Sequence, residues 1–439
     1  MYLTDRSAPV EAGADRGRRC GPGPGIAPVV FVLGAVSLIT DISSEMVTAV
    51  LPLYLVTTLG FSPLGFGTLD GVYNGVSALV QLTGGHLADR VRGHKLLAGL
   101  GYGLSALCKP LLLVAGSLGT LGTVLALERT GKGLRTAPRD AMISLSTPAE
   151  HQGRAFGVHR AMDTTGAMLG PLAAFLILRA ATGGYDAVFG VSTCVAALGV
   201  VVLVLFVPGS PEGPGKHDGA QPAEVTDDSA VTHEPPAGEG RPPVRLREAL
   251  ALLLLPRLRA LAGCAALLGL TTVSDAFVYL LLQRRAGVGE EWFTLLPLGT
   301  AVVFLLLAVP VGTLADRVGR RGVFLAGHVG LLTSYALLLW AADTPLLVPV
   351  VLALHGTFYA ATDGVLPAAL AGLVPEHLRA SGLAIVGTGQ ALARFCCSLA
   401  FGAAWTAWGD GPALAGSAIG LLCCAAVAGV VLRPADGAR

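Results

Sequence analysis

The chain has 439 residues, of which 53% are hydrophobic and only 13% charged, with a formal net charge of +1. A soluble domain carries about 25% charged residues, so a mean hydropathy of +0.67 excludes an ordinary soluble protein and points to an integral membrane protein. The near-neutral charge gives no electrostatic reason to expect a nucleic-acid partner.

Residues 1–27 combine Asp, Glu and four Arg with a GPGPG run and read as a disordered cytoplasmic tail rather than a signal peptide. Twelve apolar runs follow, each near or above the ~17–25 residues that span a bilayer. Their approximate limits are 29–57, 64–88, 95–115, 118–139, 155–178, 187–208, 258–283, 291–315, 322–341, 345–368, 380–405 and 412–432. The runs are continuous rather than alternating, which argues for helices and against a β-barrel. Residues 209–246 are rich in Pro, Gly and mixed charge and read as a disordered linker. The expected fold is therefore an all-α membrane protein of two pseudo-symmetric six-helix bundles, residues 28–208 and 247–433, with a short cytoplasmic tail at 434–439.

Lys and Arg set the orientation. With the N-terminus inside, the cytoplasmic loops hold Arg90, Arg92, Lys95, Arg139, Arg154, Arg317, Arg320, Arg321 and Arg379, against Arg179, Arg284 and Arg285 outside. Trp292, Trp340, Trp405 and Trp408 then fall at outer span ends, where an interfacial belt belongs. The expected location is the cell membrane, with both termini cytoplasmic. Of the eight cysteines, seven lie in apolar runs and read as buried small hydrophobes, and no CxxC occurs.

The densest ionisable stretch inside the apolar chain is Glu128–Pro171. An intramembrane charge costs a few kcal/mol and needs a partner or a wet cavity. Asp41 and Glu45 lie four apart on one face of span 1. Two carboxylates so close cannot both ionise cheaply, which suits a proton carrier; permanent pairing with the arginines of spans 4 and 5 is the alternative. Glu128 and Lys132 are spaced to pair within span 4, and Arg129, about 100° away, is expected to reach Asp41 or Glu45. Arg135 and Arg139 are expected near the inner interface as topological or loop contacts. In span 5, Arg160 and Asp163 are spaced as an intrahelical pair. His159 beside them suits a packing role better than titration. In the second half Asp275, Asp363 and Arg394 are the intramembrane charges, with His355 a further cavity candidate. Span 3 has only Lys109, and spans 6, 9 and 12 have no charged interior residue.

The halves repeat. GGHLADRVRGHK (84–95) follows span 2 and VGTLADRVGRRG (311–322) follows span 8, and the interval from Asp89 to Asp316 equals that from Pro148 to Pro375. On these motifs the chain resembles the major facilitator superfamily. GTLADRVGRR (312–321) matches that family's loop motif closely; its counterpart departs, with Arg92 at a usual Gly and Gly93 one residue late. Arg129 with Gly133 is similar to the family's span 4 pattern. Gly166, Gly170 and Pro171 are similar to its antiporter motif, with Ala174 at the terminal Gly. Asp41 before Leu51-Pro52 resembles a drug-exporter motif.

The resemblance implies a conformational latch at Gly85, Asp89, Arg90, Gly312, Asp316 and Arg317, with the two glycines letting helix ends approach. It implies proton coupling through Asp41, Glu45, Glu128, Arg129, Lys132, Arg160 and Asp163, and a substrate cavity near Asp275, His355, Asp363 and Arg394. Gly166, Gly170 and Pro171 would pack span 5, and spans 3, 6, 9 and 12 would face lipid, outside the cavity. The expected function is proton-coupled export of a small organic molecule or drug by a monomeric transporter, without metal or cofactor. Divalent metal efflux, nutrient uptake and a non-transporting sensor are the alternatives. No HExxH, GxSxG or complete phosphate loop occurs, and no enzymatic activity is expected.

Overall fold

The computed structural model describes residues 27–90, 94–147, 152–181, 184–208, 254–340, 344–363, 365–371, 373–374 and 379–432. The tail, the linker and the last residues lie outside them. The first half is α1 (Pro28–Leu53, continued by a π-helical turn, Tyr54–Thr58), α2 (Pro63–Arg90), α3 (His94–Leu111), α4 (Leu118–Leu145), α5 (Gln152–Ala180) and α6 (Gly184–Phe206). The second is α7 (Pro256–Gly269), α8 (Asp275–Ala286), α9 (Glu290–Phe293), α10 (Leu296–Val318), α11 (Arg320–Trp340), α12 (Leu347–Thr362), α13 (Val365–Ala371), α14 (Arg379–Trp408) and α15 (Asp410–Val431). These helices form the twelve passages of the sequence. Passage seven is α7 plus α8, broken at 270–274, and passage ten is α12 plus α13, broken around Asp363.

Among the described residues, seven helices are long and apolar enough to cross a membrane on composition alone. The breaks in passages seven and ten shorten their helices below that length. In α4, Glu128, Arg129, Lys132 and Arg135 lower the hydropathy. A bundle tolerates such defects where protein, rather than lipid, satisfies the freed polar groups.

Packing repeats between the halves. α1 packs on α5 and α6, α3 on α4 and α6, and α2 on α4; in the same order α7 packs on α14 and α15, α11 on α12 and α15, and α10 on α12. The outward faces of α6 and α15 are apolar, with Leu198, Val201, Leu205, Ile419, Leu422 and Val430 exposed. Cys108, Cys264 and Cys397 are buried as expected, but Cys194, Cys396 and Cys423 are exposed on such helix faces. That is a correction which costs nothing where the surrounding medium is as apolar as the thiol.

The even number of passages per half brings residues 27, 208, 254 and 432 to one face, here the terminal face. The halves are sealed together at the opposite, far face. There α2 meets α14: a Cβ at Gly71 would stand 2.9 Å from the Phe395 ring, and one at Gly402 would stand 3.1 Å from Leu64 Cα. Phe277 of α8 plugs the seam, 4.8 Å from the rings of both Phe66 and Phe401. Phe175 of α5 rests on Trp292 at 5.1 Å, and the Tyr185 hydroxyl donates to Glu290 at 3.0 Å. Trp340 and Trp408 are exposed at this face, but Trp405 is 6% exposed. It packs on Phe277 and Phe401, so its place is the inter-bundle seal rather than an interfacial belt.

The α1–α5 seam depends on small residues. A Cβ at Gly170 would lie 2.7 Å from Glu45 Cβ and 2.9 Å from both the Ile42 carbonyl and the Met46 nitrogen, and Pro171 follows within α5. Gly166 sits as tightly against Leu38. Gly103, by contrast, has nothing within 4 Å of an added Cβ. Overpacking a close-packed seam costs about 1–3 kcal/mol. Gly170→Val is therefore expected to lower the unfolding midpoint of purified protein in detergent by several degrees, and Gly103→Ala to leave it unchanged.

Candidate functional site

α4 starts in a capping box, in which the Ser117 hydroxyl accepts from the Thr120 nitrogen and the Thr120 hydroxyl from the Ser117 nitrogen. Helical spacing then puts Glu128, Lys132, Arg135 and Arg139 on one face. This face is turned into the first bundle, and each of its charges finds a partner there.

Glu128 is 4% exposed. Its two oxygens are bracketed by Lys109 of α3 at 3.3 Å and by the Nε of Arg129 at 2.7 Å. Arg129 lies over the Tyr73 ring at 3.8 Å. Lys132 reaches α1, 3.9 Å from Asp41 and 3.8 Å from Glu45. Arg135 donates to Asp41 at 3.1 Å and covers the Tyr102 ring. Arg139 contacts Asp140 at 3.0 Å, Asp163 of α5 at 3.7 Å and the Ser37 hydroxyl at 3.1 Å. Ser37 donates to Asp163 at 2.6 Å, and Asp163 is also 3.6 Å from Arg160, an exposed side chain.

Four expectations are corrected. Glu128 pairs with Lys109 and Arg129, not with Lys132. Arg129 turns back to its own neighbour rather than to Asp41 or Glu45, because a long side chain can undo the 100° between adjacent Cβ directions. Arg135 and Arg139 are buried in ion pairs and are not loop contacts. Lys109 is 2% exposed and faces the bundle, so passage three does not present its one charge to lipid. His159 is buried, with Nε2 lacking a hydrogen-bond partner among the described residues.

Between the halves lies a cavity of about 360 Å³. Its charged lining is Glu45, Asp70, Asp275, Asp363 and Arg394, set among Tyr73, Tyr279, Tyr359, Phe293 and Phe304. A second lobe of about 220 Å³ shares Asn74, Thr272, Asp363 and Arg394 and adds His328 and Gln390. The cavity thus takes Glu45 from the first-half group and Asp275, Asp363 and Arg394 from the second. Asp41 and Arg129 are buried and are not among the lining residues, and Lys132, its side chain 34% exposed, does not line the cavity either. His355 is not on the wall either: it is fully buried behind Asp275, with its Nε2 at 3.0 Å from Asp275 Oδ1. Asp70 belongs to the cavity and accepts from Ser398 of the other half at 2.6 Å; its signal was an acid alone in an apolar run. The tyrosines gave no signal, since an aromatic in an apolar helix reads as core. Among the described residues no three His, Cys, Asp or Glu side chains group closely enough to hold a metal ion.

At the terminal end of α10, Arg320 donates to Asp316 at 3.0 Å. Arg317 is exposed, and among the described residues an added Cβ at Gly312 would meet nothing within 4 Å. Gly85, Asp89 and Arg90 fall in α2, but their side chains lie outside the described residues.

The family model described as Major Facilitator Superfamily matches residues 33–304, and the one described as Sugar (and other) transporter matches residues 248–433. An uncharacterized MFS-type transporter of Methanocaldococcus jannaschii is 29% identical over 384 residues, covering 86% of this chain and 88% of that protein. The nucleoside transporter NupG shares the fold with a TM-score of 0.73 at 12% identity, over 93% of this chain and 100% of that one. A bacterial homolog of the human lysosomal transporter Spinster, in an inward-facing and unoccupied conformation, gives 0.71 at 15% identity, over 94% and 98%. With a family model covering more than half its length and the same helix pairings repeated in both bundles, the chain belongs to the Major Facilitator Superfamily of membrane transporters.

Proposed function

We propose that the chain exports a small organic cation across the cell membrane in exchange for protons. The observation that carries this reading is the cavity wall, where four carboxylates face one guanidinium among tyrosine and phenylalanine rings. In a poorly hydrated site a net negative wall favours cations, and the ring faces add cation–π attraction. The terminal face is taken as cytoplasmic, on the positive-inside bias. A cavity sealed at the far face then loads from the cytoplasm.

Coupling is assigned to Glu45 and Asp41. Glu45 stands on the cavity wall and shares Lys132 with the buried Asp41. A proton arriving on Glu45 frees Lys132 to serve Asp41 alone, and a cation entering the cavity favours loss of that proton. Arg129 and Glu128 hold the adjoining part of α4 in place. Asp163, with Arg139 and Arg160, holds the terminal part of α1 through Ser37. Metal efflux has less support, because the cavity acids are not gathered with histidines into one ligand set.

Inside-out vesicles acidified inside are expected to accumulate tetraphenylphosphonium or 2-phenylethylamine, and to lose that accumulation when the pH gradient is collapsed. Asp41→Asn and Glu45→Gln should each abolish gradient-driven accumulation while leaving folded protein. Full activity in both variants contradicts the assignment, and gradient-driven accumulation of neutral solutes alone contradicts the choice of substrate.

Structural and coupling roles separate on α4. Glu128→Gln leaves Lys109 and Arg129 together without an anion, and breaking a buried pair costs about 3–5 kcal/mol. Lys109→Met leaves the Glu128–Arg129 pair balanced and should cost less than half as much. Unfolding of the two purified variants in detergent checks the order.

A further inference from the structure

Asp275 is the first residue of α8, directly after the break that separates α8 from α7. Its side chain is 41% exposed on the cavity wall. One oxygen, Oδ1, takes two donors from α12: the Tyr359 hydroxyl at 2.6 Å and His355 Nε2 at 3.0 Å. His355 Nδ1 is buried without a partner among the described residues, so the contact the ring makes is the one from Nε2 to Oδ1. Its plane is fixed by Tyr279, Phe358 and Tyr359, with ring centroids 5.4–6.3 Å away.

The groups facing the pair are Tyr279 on its own helix, Tyr359 and Asp363 at the end of α12, Arg394 of α14, Asp70 of α2, Glu45 of α1 and His328 of α11. Asp275 thus receives two hydrogen-bond donors in the first turn of α8, on a cavity wall that Arg394 also lines. Oδ2 accepts no hydrogen bond among the described residues and is left for the cavity. The repeat places this pair deliberately: the interval from Asp89 to Asp316 also separates Glu128 from His355 and Lys132 from Tyr359. The positions that pair charges behind the wall in the first half support a single exposed carboxylate in the second.

We propose that Asp275 Oδ2 is the receptor for the N–H of a protonated amine carrying an aromatic body, held in place by the positioning residues His355 and Tyr359. This rests on the organic-cation reading above and divides its labour. Glu45 exchanges the proton, and Asp275 recognises the cation independently of pH. The His355 ring fixes Oδ1 so that Oδ2 faces the substrate.

The test is binding and transport of 2-phenylethylamine by full-length protein between about pH 6 and pH 8, where the amine stays protonated. Asp275→Asn should weaken binding at least about tenfold, the worth of a charge-assisted hydrogen bond. The loss should be similar at every pH and fall on KM rather than kcat. His355→Leu should raise KM several-fold and His355→Gln, which keeps an N–H donor, should recover most of it. Tyr359→Phe, which leaves the carboxylate in place, should raise KM if Asp275→Asn fails to fold. Unchanged amine affinity in Asp275→Asn overturns the proposal, as does a shift of its pH profile with affinity retained at low pH. Equal KM for Tyr359→Phe and wild type would also overturn it. These outcomes leave the export reading standing, whereas wild-type protein that binds no organic cation overturns both.

Discussion

The constraint on which the structure turns is that an ionised group inside an apolar bundle must have a partner. α4 carries three cations and an acid, at 128, 129, 132 and 135, through the middle of the first bundle. Such a helix cannot face lipid. It is held because α3 supplies Lys109 to Glu128, and α1 supplies Asp41 and Glu45 to Lys132 and Arg135. These bonds do more than neutralise charge. They fix the rotation of α4 about its axis, and with it the register against α1, which in turn packs on α5 through Gly166 and Gly170. The position of Glu45 on the cavity wall follows from that chain of contacts.

The two bundles repeat their helix pairings but not their electrostatics. The first is laced with ion pairs behind its wall. The second pairs its buried groups sparingly and exposes Asp275, braced by a histidine and a tyrosine. A break in passage seven allows this, because it lets a side chain sit at a helix N-terminus in mid-bundle, where an anion is favoured. Among the described residues the far-face seal is made of close glycine contacts, aromatic rings and the Tyr185–Glu290 hydrogen bond, with no ion pair between the halves.

Much of this was legible in the sequence. The twelve runs are set by hydropathy, which acts locally, and they appear in the structure as helices. The acids of passages one, seven and ten were visible because an acid in an apolar run is conspicuous. What was not legible was pairing. Spacing predicts that Glu128 meets Lys132, but Lys109, distant in the chain, lies closer in space, and Lys132 is drawn to two carboxylates on α1. Side-chain length also defeated simple geometry: Arg129 folds back on Glu128 although their Cβ directions diverge. His355 could be placed in the right helix but not behind the wall rather than on it, since burial is decided by the neighbouring helices. Trp405 fitted an interfacial belt by position alone, and only the meeting of the two bundles shows it as part of the seal.

The central claim is that the acid-lined cavity exchanges an organic cation for protons. The most direct measurement is the lumenal pH of proteoliposomes holding the wild-type protein and a trapped pH dye, recorded as organic cations and neutral solutes are added outside. The account predicts a pH change on adding cations that neutral solutes of similar size do not produce and that protein-free liposomes lack. A lumenal pH that responds to no cation, or responds equally to neutral solutes, would contradict it.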